Sequence, residues 1–204
     1  MLTDVRWNST REPEILICRY RRTDCREQQI TETVRQYLAL APLLSAPAAR
    51  ILASMENVDP DHALDRCCRV DKTEDGKPYF PLLPLYISIS DTETYRWIAL
   101  SPENIGIDAE DSSRKARAAA ISKRFFAAEE QEALKSGCFD FFTLWTEKES
   151  YVKYTGRGIR DDFASFSVFS IRESICSFTD PEGYRISVCT EKPMTLKYSI
   201  QEQN

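Results

Sequence analysis

The fold of this chain is decided around residues 145–153, which read Trp-Thr-Glu-Lys-Glu-Ser-Tyr-Val-Lys. Apolar residues recur in and around this segment at a spacing of three to four: Phe141, Leu144, Trp145 and Val152. This period predicts an amphipathic helix. Asp140 can cap its N-terminus, and Gly156 can take the left-handed conformation that ends many helices. We therefore predict one helix between Asp140 and Gly156.

Glu149 and Lys153 stand four residues apart, so a helix places them on one face, one turn from each other. Such a pair is often only an exposed ion pair of little energetic weight. A second acidic segment favours a functional site instead. Residues 105–110, Ile-Gly-Ile-Asp-Ala-Glu, alternate like a β-strand and put Asp108 and Glu110 on one face. Together, the three carboxylates and the lysine predict a site for a divalent metal and a phosphate.

Composition limits the classes of protein and of metal. The chain has 204 residues and a net charge of −5, so we expect no broad nucleic-acid-binding surface. No run approaches the roughly 20 apolar residues of a membrane span, and the N-terminus has no signal-peptide core. Seven cysteines without a C-x-x-C pair predict a reducing, cytoplasmic location. Because His62 is the only histidine, carboxylates must hold any metal, which favours Mg²⁺.

The first hundred residues predict helices and strands in alternation. We expect a buried strand over 14–20, a helix over 25–40 and a second helix from near Ser45. Arg50 in that second helix is either a solvated arginine or a phosphate contact. The segment 75–78, Asp-Gly-Lys-Pro, predicts a turn.

A hairpin follows that turn. Residues 85–90 alternate between apolar and polar side chains, and residues 91–94 form a turn before a returning strand over 95–100. The alternation predicts that three side chains face inward: Leu85, Ile87 and Ile89. It predicts that three others face outward: Tyr86, Ser88 and Ser90.

The second half begins with the strand over 105–110, which carries Asp108 and Glu110. A basic segment over 112–117 then leads into an alanine-rich helix that ends at Arg124. Its basic residues are either a solvated helix face or a docking patch for an acidic partner. Another helix opens near Glu129. Four later segments predict strands: 163–169, 174–179, 184–190 and 195–200.

These segments resemble the 4'-phosphopantetheinyl transferase superfamily, specifically its surfactin-synthetase-activating branch. The family carries a G-[IV]-D-x-E strand, an R-F-F segment followed by a glutamate, and a W-[ST]-x-K-E-[SA]-x-x-K helix. This chain shows the three elements in that order, at residues 106–110, 124–130 and 145–153. A G-K-P element of the family matches residues 76–78, and the resemblance covers roughly residues 76 to 170.

The resemblance implies an α+β fold of two similar α/β subdomains in a pseudo-twofold arrangement, with the site at their interface. We place the subdomains at 1–101 and 102–204, the second one carrying the metal-binding carboxylates. The implied reaction transfers the 4'-phosphopantetheine arm of coenzyme A to a serine of an apo acyl or peptidyl carrier protein. It requires Mg²⁺ and releases adenosine 3',5'-bisphosphate. We expect a monomer, with no nucleic-acid or membrane partner.

The resemblance also implies a role for each candidate site residue. The metal ligands are three carboxylates: Asp108, Glu110 and Glu149. The catalytic residues are Glu130 as the base, Glu149 and Lys153. The coenzyme A contacts are four: Lys77, Ser88, Lys148 and Lys153.

Ile89 departs from the family pattern, which has S-H-S where this chain has Ser88-Ile89-Ser90. The family's histidine donates to a coenzyme A phosphate, and an isoleucine cannot donate a hydrogen bond. The alternative function is therefore a degenerate member that binds coenzyme A or a carrier protein without transfer. A second alternative, an unrelated magnesium-dependent phosphoesterase, leaves the segments 76–78 and 145–153 unexplained.

Overall fold

The structure is a computed structural model that describes residues 2–5, 14–22, 25–40, 46–54, 59–113, 118–158 and 163–201. It contains these strands: β1 Leu2–Val5, β2 Ile15–Arg21, β3 Asp71–Lys72, β4 Pro78–Tyr79, β5 Tyr86–Asp91, β6 Tyr95–Ser101, β7 Ile105–Asp111, β8 Ile175–Thr179, β9 Tyr184–Thr190 and β10 Leu196–Ile200. It contains these helices: α1 Arg26–Leu40, α2 Ala46–Ala53, α3 Pro60–Cys67, α4 Ala118–Phe125, α5 Ala128–Lys135 and α6 Phe141–Thr155. The α+β class is thus the observed one, and no helix among these residues is long and apolar enough to cross a membrane.

Two larger sheets and a short pair of β3 with β4 organise the described residues. The first sheet has the order β1-β10-β2-β6-β5, and the second has the order β7-β9-β8. Neighbouring strands are antiparallel except β10 and β2, which run parallel. Because β10 lies between β1 and β2, the first sheet contains strands from both ends of the chain. The division at residues 101 and 102 stays a prediction.

The core has three parts that stack as layers. Side chains of α1, α2 and α3 pack on one face of the first sheet, around Val34, Tyr37 and Ile98. The other face of that sheet packs on the second sheet, around Trp97 and Ile186. Helix α6 covers the remaining face of the second sheet, within an aromatic-rich cluster. The site residues of β7 and α6 therefore sit on elements that are held from both sides.

Helix α6 confirms the prediction made from its period and caps. The Asp140 carboxylate accepts a hydrogen bond from the Thr143 N–H at 3.0 Å, and Gly156 has a φ of 72°. The hairpin of β5 and β6 is also confirmed, as are the strands β8, β9 and β10. Arg50 lies on an exposed face of α2.

The predicted strand over 163–169 is wrong. The structure has three short 3₁₀ turns in this region: Phe163–Ser165, Val168–Ser170 and Arg172–Ser174. The Ser167 hydroxyl accepts a hydrogen bond from the Phe169 N–H, and the Glu130 carboxylate accepts one from the Val168 N–H. Side chains thus accept hydrogen bonds from the N–H groups of Val168 and Phe169, which in a strand would bond to the carbonyl groups of a neighbouring strand.

The predicted outward orientation of Ser88 and Ser90 is also wrong, since both are 3% exposed. Their face of β5 is covered by β7. The Ser88 hydroxyl accepts a hydrogen bond from the Ile107 N–H at 3.0 Å, and the Ser90 hydroxyl accepts one from the Ala109 N–H at 3.1 Å. These serines therefore join the edges of the two sheets.

Candidate functional site

Helix α6 approaches β7 unusually closely at Gly106. A Cβ at this position would collide with the Ser150 carbonyl oxygen and the Tyr154 amide nitrogen, and would lie 2.9 Å from the Tyr154 Cα. Only glycine permits this contact, because the colliding atoms are backbone. The contact brings the polar face of the helix next to the carboxylates of β7.

Asp108 and Lys153 form the centre of the site. The Lys153 ammonium donates to Asp108 Oδ1 at 2.7 Å, and the Ser90 hydroxyl donates to the same oxygen at 2.9 Å. Asp108 is 5% exposed, and its Oδ2 is buried without a hydrogen-bond partner among the described residues. Helical spacing alone would suggest that Lys153 pairs with Glu149. In the structure Lys153 pairs instead with Asp108 of β7.

Glu110 and Glu149 complete the acidic cluster. Burial raises the pKa of the Glu149 carboxyl to about 8, and the Asp108 charge adds to the effect while Lys153 opposes it. Burial and Asp108 likewise raise the pKa of Glu110 to about 7, and Trp145 Nε1 donates to the Glu110 carboxylate at 3.2 Å. The structure therefore brings the three predicted carboxylates near one another, where their charges repel.

Whether this cluster fits a metal can be judged from its donors. In the conformation described, no three His, Cys, Asp or Glu side chains among residues 2–5, 14–22, 25–40, 46–54, 59–113, 118–158 and 163–201 converge closely enough to hold an ion. Yet the donors are all carboxylate oxygens, the ligands that Mg²⁺ prefers, and Asp108 Oδ2 is a buried acceptor that no described residue hydrogen-bonds. We judge that the residues fit a hard divalent cation, provided that the side chains of Glu110 and Glu149 turn towards it.

A cleft of about 300 Å³ opens beside the cluster. It is lined by residues of the 75–78 turn, of β5 and of α6 with its C-terminal loop: Asp75, Gly76, Lys77, Pro78, Ser88, Ile89, Glu149, Val152, Lys153, Gly156 and Gly158. Four of the predicted site residues thus share one cavity. Ile89 is only partly buried and forms part of the wall. A larger cavity of about 480 Å³ between α1, α3 and β3 contains none of the predicted residues.

Lys77 reaches the end of α6 rather than an open part of the cleft. Its ammonium donates to the Tyr154 carbonyl oxygen at 2.6 Å and to the Asn104 side chain. Asn104 Nδ2 donates to the same carbonyl at 2.9 Å. Burial lowers the pKa of Lys77 to about 8. The lysine therefore caps the C-terminus of the helix that carries Glu149 and Lys153.

Glu130 and Lys148 form a separate, fully buried ion pair. Each side chain has 0% exposure, and the Lys148 ammonium donates to both Glu130 oxygens, at 3.1 and 2.9 Å. The same oxygens accept from the N–H groups of Val168 and Ala127. The described contacts of these two predicted site residues are thus with α5, α6 and the 3₁₀ turns, and not with the acidic cluster.

Sequence reasoning missed two residues of the site, Ser90 and Asn104. Ser90 contacts Asp108 and Lys153, and Asn104 contacts Lys77 and the end of α6. Position 90 was predicted to face solvent because an alternating strand with serines normally does. No local signal in the sequence shows that β7 covers this face.

Fold and site together define an α+β protein whose acidic, lysine-bearing cleft is suited to a metal and a phosphate. Residues 104–198 match the family model described as the 4'-phosphopantetheinyl transferase superfamily. The chain is 34% identical over 142 residues to a 4'-phosphopantetheinyl transferase of Bacillus subtilis, covering 59% of this chain and 62% of the relative. It is 32% identical over 147 residues to the 4'-phosphopantetheinyl transferase Sfp of Bacillus subtilis strain 168, covering 61% of this chain and 64% of the relative.

These matches confirm the resemblance to the superfamily and to its surfactin-synthetase-activating, Sfp-like branch. A third relative, the 4'-phosphopantetheinyl transferase gsp of Aneurinibacillus migulanus, is 34% identical over 100 residues, covering 47% of this chain and 41% of the relative. The matched part of the chain spans less than two thirds of the length of these curated relatives.

Proposed function

We propose that this protein transfers the 4'-phosphopantetheine arm of coenzyme A to a serine of an apo acyl or peptidyl carrier protein. The proposed reaction requires Mg²⁺ and releases adenosine 3',5'-bisphosphate. The names of the relatives support the reaction class, and the cleft supports the kind of substrate. The observation that carries the proposal is that Glu149, Lys153, Lys77 and Ser88 line one cavity. Lys153 also donates to the Asp108 carboxylate beside that cavity.

In this proposal Asp108, Glu110 and Glu149 hold the metal. When bound, Mg²⁺ supplies positive charge that neutralises the pyrophosphate of coenzyme A. The cluster supports this assignment because burial, and then the Asp108 charge, raise the pKa of both glutamates. A bound cation would stabilise the ionised forms that this environment disfavours.

Lys153 and Ser88 are the proposed phosphate contacts. Lys153 is 30% exposed towards the cleft, and its compact charge suits a pyrophosphate. The Ser88 hydroxyl accepts from the Ile107 N–H and keeps its own hydrogen for a phosphate oxygen. Lys77 supplies a second positive charge at the cavity wall while it holds the end of α6.

Glu130 is the proposed base that removes the serine proton, and Lys148 remains its partner in the proposal. Glu149 takes part in the reaction as a metal ligand, which requires its ionised form. Glu130→Gln should remove the rising limb of the pH–rate profile, whereas a purely structural role of Glu130 would leave the shape of that profile unchanged.

The arrangement of the molecule is part of the same proposal. Two α/β subdomains, 1–101 and 102–204, would be related by a pseudo-twofold axis with the cleft between them. The stacking of helices on the outer faces of two packed sheets supports this. We also propose a cytoplasmic monomer without nucleic-acid or membrane partners. No disulfide joins two cysteines in the part of the chain that the structure describes, which supports a reducing compartment, and the net charge of −5 argues against nucleic acid.

The direct experiment incubates the protein with coenzyme A, Mg²⁺ and a panel of apo carrier proteins, and measures their intact mass. We expect one carrier to gain one phosphopantetheine group, and we expect EDTA to abolish the gain. Asp108→Asn should abolish transfer, whereas the matched control Glu103→Gln, an exposed carboxylate paired with Lys192, should not.

The alternative function, a degenerate member that only binds, makes the opposite prediction. It requires that wild-type protein binds coenzyme A in a calorimetric titration but modifies no carrier in the panel. Full activity of Asp108→Asn at ordinary Mg²⁺ would instead show that the metal assignment is wrong.

A further inference from the structure

Ser90 lies in β5 with its side chain buried between the two sheets. Its hydroxyl oxygen has three partners: Asp108 Oδ1 at 2.9 Å, Lys153 Nζ at 3.1 Å and the Ala109 N–H at 3.1 Å. Two of these partners, an ammonium and an amide, can only donate hydrogen bonds to it. A hydroxyl has one hydrogen and two lone pairs, so the Ser90 hydrogen must point at the Asp108 carboxylate. The one hydrogen and both lone pairs of this hydroxyl are therefore engaged in hydrogen bonds, which determines the direction of its O–H bond.

This bonding makes the two oxygens of Asp108 unequal. Oδ1 accepts from both Ser90 and Lys153, whereas Oδ2 is buried without a partner among the described residues. Rotation of the carboxylate would break both bonds to Oδ1. Ser90 thus keeps one particular oxygen of Asp108 free, and it keeps Lys153 on the other side of the carboxylate.

Ser88, two residues earlier on the same face, differs in two respects. It also accepts from a β7 amide, but it lines the cleft and has a hydrogen available for a ligand. Ser90 is not among the cleft residues and has no free hydrogen, so it acts on a ligand only through Asp108 and Lys153.

We propose that Ser90 is a positioning residue, which orients Asp108 so that its Oδ2 is presented to a divalent cation and Lys153 is directed towards the phosphates. This inference rests on the proposed function, because it takes Asp108 as a metal ligand. Hydrogen-bonding partners of metal ligands commonly contribute about 10–100-fold to metal affinity.

The test measures binding of Mn²⁺, without coenzyme A, from the electron paramagnetic resonance signal of the free ion. We expect Ser90→Ala to weaken Mn²⁺ binding about 10–100-fold. We expect Ser90→Thr, which keeps the hydroxyl, to bind like wild type. The control is Ser101→Ala, a fully buried serine of β6 whose hydroxyl accepts from the Glu103 N–H. It should leave Mn²⁺ affinity unchanged. If Ser90→Ala does not fold, Ser90→Cys fills the same space with a weaker hydrogen-bonding group and serves the same comparison.

The outcomes separate this inference from the proposed function. Wild-type affinity in Ser90→Ala, or equal weakening in Ser101→Ala, would overturn the role of Ser90 and leave the metal site intact. Equal weakening in Ser90→Thr and Ser90→Ala would show that packing rather than the hydroxyl matters, and would also overturn it. If wild-type protein binds no Mn²⁺, the metal site itself is wrong and the inference falls with it.

Discussion

At the scale of single residues, Ile89 is the position where this chain departs from the pattern of its relatives. Ile87 and Ile89 share one face of β5, yet their surroundings differ. Ile87 is 1% exposed within the core under α1, whereas Ile89 packs against the edge of the same core, is partly buried and forms part of the cleft wall. A side chain introduced at position 89 can therefore reach the cleft, and the same side chain at position 87 is enclosed by the core.

We predict that Ile89→His tightens coenzyme A binding. A hydrogen bond to a charged group contributes about 1.5–3 kcal/mol, which corresponds to roughly tenfold or more in Kd. Calorimetric titration of wild type and Ile89→His measures the difference. Ile87→His is the control, since it would bury an unsatisfied imidazole, lower the free energy of unfolding by about 1–3 kcal/mol and gain no affinity. Unchanged affinity in a well-folded Ile89→His protein would contradict the prediction.

The buried carboxylates predict a dependence of stability on pH in the metal-free protein. The folded pKa of Glu149 is raised to about 8, so the folded state holds its proton more tightly than the unfolded chain. Such a group favours folding below its unfolded pKa of about 4.3 and loses that contribution as the pH rises through 8.

We therefore expect Glu149→Gln and wild type to melt alike near pH 4 in EDTA, and the variant to melt at a higher temperature near pH 8. Mg²⁺ should raise the wild-type melting temperature more than that of the variant. Thermal melts across this pH range measure both effects. The exposed Glu103→Gln should show no such divergence, and a wild type that is more stable than Glu149→Gln at pH 8 in EDTA would refute the argument.

At the scale of secondary structure, α6 can pack closely against β7 only because residue 106 is a glycine and has no Cβ. Gly106 has no Cβ, and the helix backbone at Ser150 and Tyr154 occupies the space where one would be. Neither partner can move locally, because both are backbone atoms inside a helix that is capped at each end by Asp140 and Gly156.

We predict that Gly106→Ala separates α6 from β7 and lowers the free energy of unfolding by about 3 kcal/mol, the upper end of the usual cost of overpacking, because the added Cβ meets backbone atoms. Urea denaturation measures the loss, and transfer activity should fall with it. Gly137→Ala is the control, since a Cβ there meets no atom of the described residues within 4 Å and only the positive φ of 74° is strained. Its cost should be about 1–2 kcal/mol. Equal costs for the two variants would show that close packing at Gly106 is unimportant.

At the scale of the whole molecule, a buried ion pair joins the two sheets. Arg19 of β2 donates to the carboxylate of Asp180, in the turn between β8 and β9, and also to Glu182. The side chains of Arg19 and Asp180 are 3% and 0% exposed. The Tyr198 hydroxyl donates to Asp180 at 3.2 Å, and the Arg19 guanidinium lies 4.2 Å above the Tyr95 ring.

Removing one member of this pair leaves the other charge buried and unpaired, so we predict that Arg19→Met costs about 3–5 kcal/mol. Arg19→Met with Asp180→Asn should recover part of the loss, because the double variant buries no net charge. Urea denaturation of the four proteins gives the coupling energy. The exposed pair of Lys135 and Glu132 provides the control, and Lys135→Met should cost no more than about 1 kcal/mol. Additive effects of the two substitutions would argue against a direct interaction.

The sequence by itself determined the local elements that carry the site. The period of α6, its caps and the alternation of β7 depend on neighbours within a few residues, so they could be predicted. The motifs at 106–110 and 145–153 also identified the acidic cluster and Lys153. The strand predicted over 163–169 failed because the distant Glu130 carboxylate and the neighbouring Ser167 hydroxyl accept hydrogen bonds from its backbone N–H groups.

Only the tertiary structure decided which side chains meet. Ser90 was predicted to face solvent, and it is buried because β7 covers its face of β5. Lys77 caps α6, and Lys153 pairs with Asp108 rather than with Glu149 one turn away. Glu130 and Lys148 pair with each other, apart from the cluster. These contacts join residues that are far apart in the chain. Their geometry follows from how two sheets and a helix pack together, which no local pattern of residues specifies.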